Sequence, residues 1–475
     1  MRAASLPLLF LGLTTFAQRH GNVWHFGQHL SLDFSNCTPT VATNGVNEGF
    51  EGCSSICDAD GDLLFHTNGL TLWNAAGDVM EGSTFVFGGG SYSQVLIVPR
   101  PGSSTLFHVL RPSLQGQGTA GLMVCTVDMT GDGGLGALVT SWDTLYTGTA
   151  TEHIAATRHA NGEDIWILGH VYPANTFLAY RLTVDGIDPV PVTSDAGPAF
   201  PPCNSNMNAR GEMRFNLTGT RLAMAGNGTG GEPDSDLLLL LRFDPETGAV
   251  TNPIELPPAR GDFGVAFSAD GSKLYTATWK ALNFFSTDSN YIQQFDLSDP
   301  DPAAIIASRT VLYAAQIPTS FGSVKLGPDG RIYVARFGSD HLGVVEQPGQ
   351  PGAACNYVHD GLDLQGAFCE FGLNNYIEYV GCGGISPLGM DDESNFPALW
   401  LLEEGGRSLR LTGAPPGAAY LFRVTDARGR WVRERQIRNG EAIDLRDQAD
   451  GVYLVAPADA SAPAGLRQRV VLTGR

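Results

Sequence analysis

The chain has 475 residues, 43% of them hydrophobic and 16% charged, with 59 glycines and a formal net charge of -20. That supply of apolar side chains is enough for a large core and excludes a disordered chain, while the acidic balance excludes nucleic acid, whose binding rests on Lys and Arg neutralising phosphates. Abundant glycine with few polar-faced runs at helical period points to short strands and tight turns, so the expected class is all-β.

At the start, Arg2 precedes Leu6, Leu8, Leu9, Phe10, Leu11 and Leu13, and Thr15-Phe16-Ala17 follows. A basic opening, a short apolar run and a small-residue cleavage point read as a secretory signal peptide over residues 1–17. A membrane anchor is the competing reading, but the run is shorter than the roughly 20 residues a span needs, and no later segment reaches that length, so no transmembrane span is expected.

Beyond the leader, similar units recur: "CDADGDLLFHTNGLTLWNAAG" (57–77), "PRPGSSTLFHVL" (99–110), "RHANGEDIWILGHVYPANTFLAYRLT" (158–183), "FNLTGTRLAMAGN" (215–227), "FSADGSKLYTAT" (267–278) and "LGPDGRIYVARFGSDHLGVVEQPG" (326–349). Each opens on a turn with Asp, Asn, Thr or Pro beside Gly, where a positive φ is cheap, and continues as strand, loop, strand. With "NVWHFG" and "LSLDF" near the mature start there are about seven strand pairs at intervals of roughly 40–60 residues, the spacing of propeller blades. The expected architecture over residues 18–382 is a seven-bladed β-propeller, with a six-bladed ring or a pair of sandwiches as competitors. "LNNYIEYV" (373–380) is the expected closing strand, and Asp270 and Asp329 are expected to cap turns.

Residues 383–397, rich in Gly, Pro and acids, read as a linker. After it the charge balance changes: residues 396–475 hold 12 Arg and 9 acids and no Lys, which supports a domain boundary. Alternating strands separated by Asp-Gly-type turns make residues 398–475 a small C-terminal β-sandwich.

The eight cysteines (Cys37, Cys53, Cys57, Cys125, Cys203, Cys355, Cys369 and Cys382) permit disulfides without fixing their pairing. Cys53 and Cys57 lack a second pair that would complete a zinc set, and Cys125 reads as core.

The stretches "EGCSSICDADGDLLFHTNGLTLWN", "SQVLIVPRPGSSTLFHV", "GLMVCTVDMTGDGGLGAL", "TEHIAATRHANGEDIWILGH", "FGVAFSADGSKLYTAT" and "FGLNNYIEYV" resemble, in the same order, a family of exported bacterial propeller-like proteins found with type IX secretion. The resemblance implies a secreted or outer-membrane surface protein exported through the periplasm, and it brings no established enzymatic activity. The end of the chain resembles a type IX C-terminal sorting domain, through "AAYLFRVTDARGRWV", "AIDLRDQADGVYLV" and "QRVVLTGR". The pattern D-x-x-G-R and then G-V-Y falls on Asp426, Gly429, Arg430, Gly451, Val452 and Tyr453, and implies the type IX machinery as a partner. At its front "DESNFPALWLL" stands where the family has an Asn-Pro-Ala-like opening.

No recognised catalytic motif is present. Glu152, His159 and His170 are the best catalytic or metal-ligating candidates, because two imidazoles on adjacent strands with a carboxylate suit proton transfer or metal binding. Glu51, Asn68, Trp73 and Gln94 are candidates for lining a funnel, with core or turn roles as the plainer alternative. "DADGD" (58–62) begins like a calcium loop but has Gly69 at the twelfth position in place of Glu, so a turn is expected; no cofactor is expected, with calcium as the one possible ion. The expected function is a non-catalytic surface propeller binding a glycan or protein partner. The alternative is a propeller hydrolase or lactonase-like enzyme with a divalent metal at the channel mouth.

Overall fold

The computed structural model describes residues 19–83, 94–114, 120–201, 203–228, 235–259, 261–280, 289–316 and 319–381, and in the C-terminal region 399–402, 408–412, 419–426, 430–438, 441–449, 451–457 and 468–472. The proposed leader, the linker, Cys382 and Gly429 lie outside these residues. The chain divides into two compact units, Met1–Gly389 and Met390–Arg475.

The first unit is seven antiparallel sheets in chain order. Blade 1 has Val23–Gln28, Leu30–Asp33 and Thr40–Ala42, with Glu48–Gly49 on its other edge. Blade 2 is Ser54–Cys57, Leu63–Thr67 and Leu72–Asn74; blade 3 is Leu96–Pro99, Leu106–Pro112, Ala120–Asp128 and Ala137–Thr147. Blade 4 is Ala150–Arg158, Ile165–Val171 and Thr176–Thr183, the last pairing both Gly186–Ile187 and Val192–Asp195. Blades 5, 6 and 7 are Met213–Phe215 to Val250–Glu255, Asp262–Phe267 to Thr310–Gln316, and Phe321–Leu326 to Tyr357–Asp363, four strands each. The architecture is a seven-bladed β-propeller.

Burial gives the radial direction. The first strands of blades 5, 6 and 7 are buried throughout, whereas the last strands of blades 3, 6 and 7 are mostly exposed or half-exposed. An antiparallel strand open to water on one face alternates; a strand buried on both faces does not, and the first strands of blades 5, 6 and 7 are of this second kind. Interblade layers are continuous apolar clusters, such as Leu238, Leu240 and Ala223 of blade 5 against Val265, Phe267 and Phe295 of blade 6.

The turns follow the sequence reading. Asp270 Oδ1 accepts from Ser272 N at 3.0 Å and Gly271 takes φ +68°. Asp58 Oδ1 accepts from the amides of Asp60 and Gly61, both at 2.9 Å, so "DADGD" closes a turn. Asp329 caps its turn and also accepts from Tyr333 Oη at 2.7 Å.

Two expectations are corrected. Residues 373–380 carry no strand pairing; they run along the ring's axis, as described below. Cys37, Cys53, Cys57, Cys125, Cys355 and Cys369 carry no disulfide, and all but Cys37 are buried. Burial pushes the Cys53 and Cys57 thiols up to about 12, so they are unreactive core groups.

The second unit is a small β-sandwich, a three-stranded sheet (Leu399–Leu402, Ser408–Thr412, Ala442–Asp444) and a four-stranded one (Ala419–Asp426, Trp431–Arg438, Gly451–Pro457, Gln468–Leu472). Phe422, Val424, Ile437 and Val455 of the larger sheet and Ile443 of the smaller are fully or nearly fully buried. Among the described residues no helix is long and apolar enough to cross a membrane.

Candidate functional site

The inner strands all run the same way, so their first residues gather at one mouth of the ring. That places Glu51, Gln94, Glu152, Arg210, Glu212 and Asp262 together at this end, each in or just before the first strand of blades 2 to 6, and all are buried. Arg210 is the electrostatic centre: its guanidinium interacts with Glu51 and Glu152, and lies 4.4 Å over the Trp279 ring. Burial pushes the Glu51 carboxyl up to about 8, against the pull of Arg210 and with the push of Glu212. Glu51 Oε2 has no hydrogen-bond partner. Burial lifts Asp262 to about 6, although the Ala259 amide donates to it at 2.6 Å.

Glu212, which the sequence reading missed, joins three blades. It accepts from Arg214 Nη2 at 2.5 Å, from Ser323 Oγ, and from the amides of Val265 (3.3 Å) and Val324 (3.2 Å). A carboxylate in this position closes the inner ends of blades 5, 6 and 7 with charge-assisted bonds. "GEMRFN" held the signal for it: polar residues alternate there within a strand whose two faces are both enclosed.

The axis is filled. Phe371 and Gly372 both donate backbone N–H to Phe50 O at 2.9 Å, and Asn375 N donates to Cys53 O at 2.8 Å. The Asn375 amide group then reaches Val95 O of blade 3 at 3.1 Å and takes a bond from Arg214 of blade 5 at 3.0 Å, while its carbonyl accepts from Ser54 Oγ of blade 2 at 2.7 Å. Further along, Lys325 Nζ of blade 7 donates to Tyr376 O at 3.2 Å and pairs with Glu378 at 3.1 Å. The segment leaves the axis where Gly381 N donates to Pro328 O. Beside it lie small cavities of about 40 and 50 Å3, one bordered by Arg214 and Asn375 and one by His20 and Tyr379.

Over the mouth lies an aromatic group. Phe337 stacks on Phe371 at 4.4 Å, Trp279 tilts against Phe371 at 4.3 Å, and Phe50 meets Phe337 and Phe371 edge-on at 5.9 and 5.2 Å. Phe50, Trp279 and Phe337 are only half-buried.

The remaining candidates divide. His170 belongs to the mouth end, buried against Phe177 and Phe200 at 4.6 and 5.3 Å, and burial with neighbouring His153 holds it down to about 3. His153, missed in the sequence, bonds Ala225 O through Nε2 at 2.6 Å. His159 follows Arg158 at the far end of the inner strand that carries Glu152, roughly 20 Å away at the rise of a strand. There its Nδ1 accepts from Asn161 N at 2.9 Å and its ring stacks on Trp166 at 5.5 Å, which are turn and core roles. The structure therefore does not bring Glu152, His159 and His170 to one point. Asn68 is a turn residue, its Oδ1 accepting from Leu70 and Thr71 at 3.0 Å. Trp73 stacks on His66 at 5.2 Å, and His66 on His25 at 4.0 Å. Among the described residues no group of three or more His, Cys, Asp or Glu is placed to hold a metal ion.

In the second unit Asp426 and Arg430 bracket their hairpin, with an ion pair at 2.7 Å and Arg430 N donating to Asp426 Oδ1 at 3.0 Å. Tyr453 Oη donates to Ala449 O at 2.9 Å, and Gly451 and Val452 pair with Leu472 and Val471.

No protein-family model matches the chain, and neither does any curated protein. Among solved structures it is similar to the Dos1 propeller (10% identity, 76% of this chain and 81% of that one, TM-score 0.40). It is also similar to the BP39L lectin from Burkholderia pseudomallei (12%, 82% and 96%, 0.36). A third is a catalytically inactive virginiamycin B lyase from Staphylococcus aureus (13%, 64% and 79%, 0.36). At these identities no ligand or activity carries over to this chain.

Proposed function

We propose that the chain is an exported, non-catalytic binding propeller, held at the cell surface or released, whose C-terminal sandwich is a type IX sorting signal. The observation that carries the binding reading is the occupied axis. Residues 371–381 take up the space in which a propeller enzyme would seat a substrate, and hydrogen bonds and an ion pair tie them to the inner ends of blades 2, 3, 5 and 7. What the rigid ring offers a partner is its surface, and the half-buried Phe50, Trp279 and Phe337 with Arg210 at the mouth suit a saccharide face or an aromatic side chain of a protein.

Two experiments test this. The purified protein is exposed to the producing cell's surface polysaccharide, with Trp279→Ala as control; binding lost in the variant supports the reading, and equal binding overturns the site. Separately, the chain is followed in cells and medium with and without residues 396–475. Retention of the truncated form in the periplasm supports the sorting assignment, and its arrival at the surface overturns it.

A further inference from the structure

We propose that the groove between blades 5 and 6, away from the mouth, is a docking site for an acidic peptide, with Arg221 and Arg242 as its paired carboxylate receptors. The two are direct cross-strand partners on the second and third strands of blade 5. Side chains in that relation sit about 5 Å apart at Cβ, and like charges there destabilise a sheet. Neither has an ion pair among the described residues. Among the described residues the Arg221 guanidinium donates to the carbonyls of Gly271 (3.4 Å) and Leu297 (3.2 Å), and the Arg242 charge opposes that of Arg221. In a chain with 29 Lys and Arg against 49 Asp and Glu, an opposed and uncompensated pair of arginines is a costly arrangement that an anion relieves.

Their surroundings select the anion. The pair lines a groove of about 390 Å3 whose walls include Pro253, Ile254, Pro302 and Ile305, and beyond Arg221 it continues into a polar recess of about 290 Å3 that includes Asp270. That is the size range of real binding clefts. Aliphatic and proline walls suit the side chains of a peptide, whereas a saccharide face would favour aromatic rings, and the guanidinium fork matches a carboxylate bidentately. Asp270 keeps the acidic residues of the peptide out of the recess beyond Arg221 and on the paired arginines.

The test uses the full chain and a fluorescein-labelled peptide of alternating Glu and Leu, with the matching Lys and Leu peptide as control, read by fluorescence anisotropy. Binding of the acidic peptide alone is expected, weaker at higher salt, and reduced at least about tenfold in Arg242→Gln and in Arg221→Gln. The unliganded Arg242→Gln protein is expected to melt no lower than the parent, because removing one charge ends the repulsion; this separates a binding role from a structural one. Absence of binding to the parent protein, equal binding by parent and variants, or binding of a polyanionic saccharide in place of the peptide would overturn the proposal. None of these outcomes depends on the mouth.

Discussion

Lys325 and Glu378 form an ion pair at 3.1 Å inside the ring, their side chains 0% and 6% exposed. It joins the inner strand of blade 7 to the axial segment, and the Lys325 ammonium also lies 4.2 Å over the Tyr376 ring. Removing one member of a buried pair leaves the other charge uncompensated, so Glu378→Gln should cost roughly 3–5 kcal/mol in urea unfolding, and Lys325→Met distinctly less. Burial holds Lys325 down to about 8 from 10.5, with Glu378 opposing the shift. The folded pKa lies below the unfolded one, so this group's contribution to stability is full above pH 10.5 and is lost as pH falls through about 8.

Glu51 has the opposite sign. Its folded pKa, about 8, lies above the ordinary glutamate value of 4.5. The stability it contributes is present below pH 4.5 and lost as pH rises through 8, and the window is worth roughly 3–5 kcal/mol. Glu51→Gln should therefore melt like the parent near pH 4 and several degrees above it at pH 9, measured by calorimetry.

Gly372 allows a backbone approach that no other residue permits. A Cβ there would stand 1.9 Å from Glu51 O. Gly372→Ala should destabilise the ring by at least about 3 kcal/mol, seen in the urea midpoint, since the obstacle is backbone and not a movable side chain.

Asp426 and Arg430 make an exposed contact, with Arg430 72% exposed. Arg430→Ala should change the sandwich's stability by less than about 1 kcal/mol. Surface delivery lost without any loss of fold would mark the residue as part of a signal and not of a core.

The blades were legible because their signals are local. "SADG" and "GPDG" carry the turn chemistry in four residues, and the alternating or continuous apolar runs around them set strand length. The axis was not legible. "LNNYIEYV" alternates as a strand does, yet its backbone partners are scattered over several blades, and its asparagine side chains bond carbonyls and amides that a ladder strand would have met with its own backbone. Of the residues at the mouth, Glu51 and Gln94 were singled out in the sequence as funnel candidates, and Glu152 and His170 as candidates for catalysis or metal binding. Arg210 and Glu212 were not, nor was Lys325 further along the axis, because a lone charged residue in a strand reads as solvent-facing until the ring encloses it. His159 stood in the same matching stretch as Glu152 and was grouped with it, but the length of the strand between them separates the two.

Residues 371–381 are built into the axis. Hydrogen exchange of the intact chain tests this placement most directly, read at the amides of Phe371, Gly372 and Asn375, which donate to Phe50 O and Cys53 O. These amides are expected to exchange as slowly as those of the inner strands, such as Val265 and Val324, and to open only with the whole ring. Exchange at the rate of a free loop, with the inner strands still protected, would contradict it and return the channel to the solvent.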